Sequence, residues 1–186
     1  MTKIIRKPST WMYPLPVVLV SCEGSVGPNI ITLAWAGVLC SDPVMVGLGI
    51  RPERYSYDII KESGEFVINM PKASQVELVD HCGIVSGRDH DKFQECGFTP
   101  IRGEKVKGPL IQECPVNLEC KVHEVIPLGS HHLFIGEVVL VHYSKEYVIN
   151  GRFDLDMAEP LAYGLSQYLS TAGLVGQHGD SVRRER

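Results

Sequence analysis

The apolar patterning of this chain predicts a mainly β fold, an antiparallel barrel with helices attached at its periphery. Three observations carry that expectation. Short apolar runs bounded by turn residues follow one another in hairpin-like succession, without regular βαβ alternation. No glycine-rich strand-to-helix fingerprint of the GxGxxG kind occurs, which argues against a doubly wound nucleotide fold. Val44 to Ile50 is apolar or glycine throughout, as expected of a strand buried on both faces inside a barrel.

The elements are read in chain order. Residues 1–12 are polar and basic and form an N-terminal extension that ends at the exposed-looking Trp11, Met12 and Tyr13. Leu15 to Cys22 reads as a Val-rich strand bounded by proline. Glu23 to Asn29 is dense in turn residues, so a long-loop hairpin is expected before the apolar segment from Ile30. Asp42-Pro43 turns into the buried strand. Arg51-Pro52-Glu53-Arg54 breaks it and leads into a short helix from Tyr55 to Glu62, stopped by Gly64. Phe66 to Met70 is the next strand. Ser74-Gln75-Val76-Glu77 has the form of a capping box opening a helix with Val76, Val79 and Cys82 on one face.

Asp89 to Glu95 suggests a further helical turn, with Asp89 as its cap. In Val116 to His123, apolar Val116, Leu118, Cys120 and Val122 alternate with Asn117, Glu119, Lys121 and His123, which predicts one packed face and one wet face. Pro127 to Ser130 turns the chain into a long strand from Leu133 to Val141. Pro160 is expected to open a helix carrying Leu161, Leu165, Tyr168 and Leu169, ended by Gly173. The main domain is thus placed at 13–176 and a flexible polar tail at 177–186.

Composition narrows the class. The chain has 186 residues, 44% hydrophobic and 22% charged, enough for a full core and against disorder. A net charge of -4 gives no reason to expect nucleic acid. The six cysteines, at 22, 40, 82, 96, 114 and 120, form no CxxC pair and are read as reduced, mostly buried thiols. Lys3, Arg6 and Lys7 before Leu19-Val20-Ser21-Cys22 imitate a lipoprotein signal, but Pro14 and Pro16 interrupt the apolar stretch such a signal needs. No run approaches the roughly 18 apolar residues of a membrane span, so a cytoplasmic protein without membrane contact is expected.

Two segments invite chemistry. Asn29 to Ala36 alternates small polar and apolar residues after a glycine-rich turn. Arg51 to Tyr57 lies at a strand-to-helix junction, where free N–H groups and a positive dipole end suit a phosphate, with Arg51, Arg54 and Ser56 as further donors. The other reading of that junction is an exposed turn with a solvated arginine pair. Ser86 to Phe93 is a third segment, which a helix cap accounts for. His131 and His132 are neighbours on a strand and point to opposite faces, so no metal site is expected there or elsewhere. No GxSxG elbow, Walker loop or HExxH motif is present.

Taken in order, Pro14 to Ser21, Asn29 to Trp35, Asp42-Pro43-Val44, Arg54-Tyr55-Ser56, Phe66 to Asn69, Asp80 to Gly83, Ser86-Gly87 with Asp91-Lys92-Phe93, and Leu128 to Val138 resemble the flavin reductase-like family of FMN-binding split barrels, in particular its flavoredoxin-type branch. The resemblance spans about residues 10 to 175 and implies an antiparallel Greek-key split β-barrel. It implies a homodimer with FMN near the subunit interface. Asn29, Thr32, Ala34 and Trp35 would flank the isoalloxazine ring, and Arg51, Arg54, Tyr55 and Ser56 would meet the phosphate. Lys92 would add a phosphate contact or pair with a neighbouring acid. Tyr163, on the expected C-terminal helix, would approach the site in the dimer or serve only in packing.

His131 matches a histidine that many flavin reductases carry beside the flavin and nicotinamide. Their common Gly-Asp-His pattern is Gly129-Ser130-His131 here, which removes a possible partner for the imidazole and bears on NAD(P)H use. Three functions follow: an FMN-dependent, NAD(P)H-using oxidoreductase; an electron carrier reduced by a redox protein partner; and a flavin-free structural remnant, against which the intact Arg54-Tyr55-Ser56 junction argues.

Overall fold

The computed structural model describes residues 1–25 and 27–183. Among them, the strands are β1 (Leu15–Pro16), β2 (Val18–Gly24), β3 (Gly27–Leu33), β4 (Ala36–Ser41), β5 (Val44–Ile50), β6 (Glu65–Met70), β7 (Pro100–Ile101), β8 (Leu110–Ile111), β9 (Val116–Pro127) and β10 (His132–Tyr143). Short strands β11 (Val148–Ile149), β12 (Arg152–Phe153), β13 (Leu161–Gly164) and β14 (Gln167–Ser170) follow. Helices are α1 (Tyr55–Ser63), α2 (Val76–Ile84), α3 (Lys92–Cys96), α4 (Leu155–Ala158) and α5 (Asp180–Arg183).

Seven strands form one antiparallel sheet in the order β3-β2-β6-β9-β10-β5-β4. The sheet curls without closing, so β3 and β4 are its two margins: a split barrel. Consecutive in sequence, they are joined only by Ala34 and Trp35, so the chain crosses from one margin to the other at that bend. The Gly49 N–H donates to the Trp35 carbonyl at 2.8 Å and ties the bend to β5.

Two apolar layers hold the fold. Inside the barrel, Val20, Leu48, Ile50, Phe66, Cys120 and Phe134 pack with Ile59 and Ile60 of α1. On the outer face of β2 and β3, Leu19 and Ile30 pack against Val79 and Cys82 of α2, Phe93 of α3, Phe98 and Ile111. The alternation of β2 thus serves two cores at once. Val18 and Val20 face inward while Leu19 and, just before the strand, Val17 face the helices, which explains why Val17–Val20 is apolar throughout. Helix α1 ends as its sequence suggests, with Gly64 at φ 69° donating its N–H to the Ile60 carbonyl.

Several expectations are corrected. The β2–β3 connection is a tight hairpin, with Gly24 opposite Gly27, because Glu23, Gly24, Gly27 and Pro28 remain in the ladder. Gly27 takes φ 117°, open to glycine, and Pro28 is tolerated because β3 is a sheet margin. Val26 of that turn lies outside the described residues. The helix expected after Pro160 is the β13–β14 hairpin, paired through β13 to β1. Leu165 and Ser166, at φ 53° and 61°, make its two-residue turn. Leu161, Leu165, Tyr168 and Leu169 fit helical spacing, but Leu161, Tyr168 and Leu169 serve equally as strand positions, and pairing of β13 with β1 decides between them. Part of the expected flexible tail is the helical turn α5; residues 184–186 lie outside the described residues.

Neither helix cap is where the motif suggested. Gln75, not Ser74, acts before α2, its Oε1 accepting from the Lys72 N–H at 2.8 Å. Asp91, not Asp89, caps α3 by accepting the Gln94 N–H at 3.1 Å. The wet face expected on β9 is also partly dry. Asn117 and Glu119 are buried because the segment between β7 and β8 folds over them. Asn117 Nδ2 donates to the Ile111 carbonyl and to Asn69 Oδ1, while Glu119 accepts three backbone N–H groups from residues 104–106. A polar residue on an alternating strand reports water or a loop equally well.

Candidate functional site

The barrel's split places a trough along β3. Its wide part is a cavity of about 490 Å³ walled by Thr32, Leu33, Ala34, Trp35, Gly49, Arg51, Arg54, Asp80, Gly83, His131, Tyr163 and Tyr168. Its narrow part, about 180 Å³, is walled by Asn29, Arg54, Tyr55, Ser56, Gly83, Ser86, Gly87, Arg88 and Lys92. Ile31, Arg54 and Gly83 belong to both, so the two parts are one continuous depression. Every site residue expected from the sequence lines it.

The narrow end is built at the start of α1. Arg54 is the N-cap and offers no side-chain acceptor to the helix, so the N–H groups of the first turn have no side-chain cap. Asn29 Nδ2 donates to Ser56 Oγ at 2.7 Å, which leaves the hydroxyl hydrogen for another acceptor. Arg88 lies over the Tyr55 ring at 5.1 Å and reaches the Glu53 carbonyl at 3.5 Å. Lys92 is buried and its Nζ donates to the Ile30 and Cys82 carbonyls, both at 2.8 Å. Burial pushes its ammonium below the ordinary lysine value. Lys92 thus pins β3 to α2, with two of its three ammonium donors engaged by those carbonyls while the side chain also lines the narrow cavity.

Gly87 makes the pocket possible. A Cβ there would overlap Asn29 Oδ1 and stand 3.0 Å from Tyr55 Cδ1. Gly83 likewise lets α2 approach β3, with Thr32 Cβ 3.3 Å from where its Cβ would be. Thr32 itself donates its hydroxyl to the Val79 carbonyl at 2.5 Å and so joins β3 to α2.

At the wide end Trp35 and His131 pair with ring centroids 4.1 Å apart. Arg51 Nε donates to His131 Nε2 at 3.3 Å, and Ser130 Oγ lies 3.0 Å from His131 Nδ1. Because guanidinium only donates, Nε2 must accept, so the neutral imidazole carries its hydrogen on Nδ1 and donates to Ser130. Burial, then the adjacent Arg51, hold His131 below the ordinary histidine value. The loss of a partner expected from Ser130 is thus corrected: the serine hydroxyl supplies one, for a neutral ring. Tyr163 is on β13 and lines the cavity of its own chain; its ring packs edge-on against Tyr168 at 5.4 Å. Tyr168 in turn donates to Asp80 Oδ1 at 3.0 Å.

Sequence reasoning assigns no role to Asp80, Gly83, Arg88, Ser166 and Tyr168, which the fold makes wall residues. Ser86 and Gly87 are legible as a motif, yet a helix cap accounts for them adequately. Only the approach of Gly87 to Asn29 across the fold reveals the pocket.

The fit to an elongated, phosphorylated planar ligand rests on this donor set. One end has two arginines near a helix start, a hydroxyl and a glycine cradle; the other has an aromatic ring, apolar walls and the backbone of a strand margin.

The model of the flavin reductase like domain matches residues 10–171. Over 137 residues the chain is 35% identical to an uncharacterized protein of Archaeoglobus fulgidus, covering 74% of this chain and 77% of that one. The flavoredoxin of Desulfovibrio vulgaris (Miyazaki F) superposes with a TM-score of 0.91 at 31% identity, covering 97% of this chain and all of that one. An FMN-binding protein from Thermus thermophilus, with bound 1-cyclohex-2-enone, superposes at 0.77 with 25% identity, covering 92% and 95% of the two chains. By the match across residues 10–171, the chain belongs to the family of the flavin reductase like domain.

Proposed function

We propose that the trough binds FMN and that the chain is an FMN-dependent oxidoreductase accepting hydride from NAD(P)H. The observation that carries this reading is the continuity of the two cavities through Arg54. A phosphate at the narrow end leaves the wide end, beside Trp35 and His131, for the ring system. The similarity to an FMN-binding protein and to a flavoredoxin supports the cofactor. Bound FMN supplies hydride acceptance and onward electron transfer. The chain's own residues bind and orient: Ser56 and the α1 N-terminus meet the phosphate, Arg54 and Arg88 balance its charge at the narrow end, Arg51 stands with His131 at the wide end, and Trp35 shields one edge of the ring. His131, neutral and held by Arg51 and Ser130, positions the nicotinamide and does not act as an acid.

A second reading is an electron carrier reduced by a protein donor, favoured by the likeness to flavoredoxin. One experiment tests both. Purified protein is mixed with FMN, its absorbance spectrum recorded, and NADH or NADPH added without oxygen. Bound flavin that bleaches supports the reductase; bound flavin that stays yellow supports the carrier. Protein that neither retains nor shifts the flavin bands overturns both. Assembly as a homodimer belongs to the same proposal, on the apolar margin where β4 exposes Val38 and Leu39, with Trp11, Met12 and Leu128 exposed around the same hollow as Leu39. A cytoplasmic setting suits reduced thiols; no described helix is long and apolar enough to cross a membrane.

A further inference from the structure

Away from the trough mouth, the α2–α3 junction gathers two imidazoles around one carboxylate. His81 lies on α2, His90 on the connecting segment and Glu95 on α3. His81 Nε2 is 2.8 Å from Glu95 Oε2, and His90 Nδ1 is 3.0 and 3.1 Å from the two Glu95 oxygens. All three ligand atoms lie within 4.8 Å of one another. Spacings of nine and five residues match no ligand motif, which is why the sequence carries no sign of it. The fold makes the convergence: Asp91 caps α3, and the His90 N–H donates to the Ser86 carbonyl, turning the segment back on α2.

We propose that His81, His90 and Glu95 form a divalent transition-metal site of the zinc class, which staples α2 to α3. Four ligands at about 2.0–2.1 Å around a tetrahedral ion stand about 3.3 Å apart. The two edges to Glu95, 2.8 and 3.0 Å long, reach that spacing by opening a few tenths of an ångström. The edge between the imidazole nitrogens, within 4.8 Å, needs only a rotation of surface side chains. Two neutral imidazoles and one carboxylate are a ligand set that suits zinc. The side chains are 36%, 41% and 38% exposed in the order His81, His90, Glu95, so solvent reaches the fourth position. The rings stand nearly perpendicular, at 87°, which lets two nitrogens address one point from different directions. The staple's consequence is mechanical: α2 and α3 also carry Gly83 and Lys92, walls of the narrow cavity.

The test is calorimetric titration of Zn²⁺ into the full chain after dialysis against a chelator, in wild type and in His90→Ala and Glu95→Gln. Wild type should take up one equivalent, and each variant should bind at least about tenfold more weakly. Melting temperature without metal serves as the folding control, since both substitutions are at the surface. Zinc should raise the wild-type melting temperature and not that of His90→Ala. Absence of saturable binding in wild type overturns the proposal. So does unchanged affinity in both folded variants, which would place the metal on other histidines.

Discussion

At the residue scale, two groups illustrate how context assigns a role. Arg54 and Ser56 stand at one helix start, and each has a surface explanation by itself. Together with Asn29, Gly87 and Arg88 they become one wall of a cavity. Replacing both with Ala should weaken FMN binding about tenfold or more, since hydrogen bonds to a charged group contribute roughly 1.5–3 kcal/mol each. Fluorescence titration of FMN into the double variant measures it, and unchanged affinity would remove the phosphate end from Arg54 and Ser56.

Glu119 is the second such group, fully buried with His142 Nε2 at 2.6 Å and backbone N–H groups of Glu104, Lys105 and Val106 at 2.6–3.0 Å. Burial by itself would raise its pKa. The His142 contact and the three amides outweigh it, and the carboxyl sits below its ordinary value. A depressed carboxylate stabilises the fold fully above its unfolded value of about 4.3 and loses that contribution as pH falls through the lower folded value. Glu119→Gln should therefore cost about 2–4 kcal/mol near neutrality. The gap from wild type should narrow as urea titrations move from about pH 6 towards about pH 3. A gap that stays constant with pH would mean that Glu119 is not ionised in the fold.

At the element scale, β10 shows why a strand's length and shape depend on its partners. It pairs with β9 along its length but with β5 only over His132–Glu137, and its register against β9 shifts between Ile135 and Gly136 and again between Val138 and Leu140. At Gly136 the ring of buried Phe66 comes so close that a Cβ would overlap its Cζ and stand 2.8 Å from its Cε1. Gly136→Ala should destabilise the protein by about 1–3 kcal/mol, because a core ring packed on all sides has little room to yield. Gly37, with nothing within 4 Å of where a Cβ would stand, is the control; Gly37→Ala should stay within about 0.5 kcal/mol. Equal denaturation midpoints for the two variants would show that Phe66 repacks freely.

At the scale of the whole molecule, the split in the barrel decides both chemistry and assembly. It opens the trough beside Trp35, and it leaves β4 as an unpaired margin whose Val38 is 75% and Leu39 53% exposed. An apolar edge strand invites pairing with another chain, and lysine is an established way of blocking it. Wild type should sediment as a dimer at micromolar concentration, and Val38→Lys should shift it towards monomer. A monomeric wild type would remove the dimer from the proposed function.

What depends on neighbours in the chain can be read from the residues alone. The β-rich class, α1 with its Gly64 stop, the strand β5, buried except towards exposed Val44, and the Arg54-Tyr55-Ser56 junction were all legible, because turn residues, periodicity and caps act over a few residues. The rest depends on contacts between segments far apart in the chain. Whether Leu161 to Ser170 is helix or hairpin depends on β1, at the other end of the chain. Whether Asn117 and Glu119 meet water depends on a loop that covers them. That Lys92 ties the scaffold together depends on two carbonyls brought to it from β3 and α2. The clustering of His81, His90 and Glu95 is of the same kind. A side chain's partner across the fold is set by how packed elements close on one another, and local pattern carries no record of that distance.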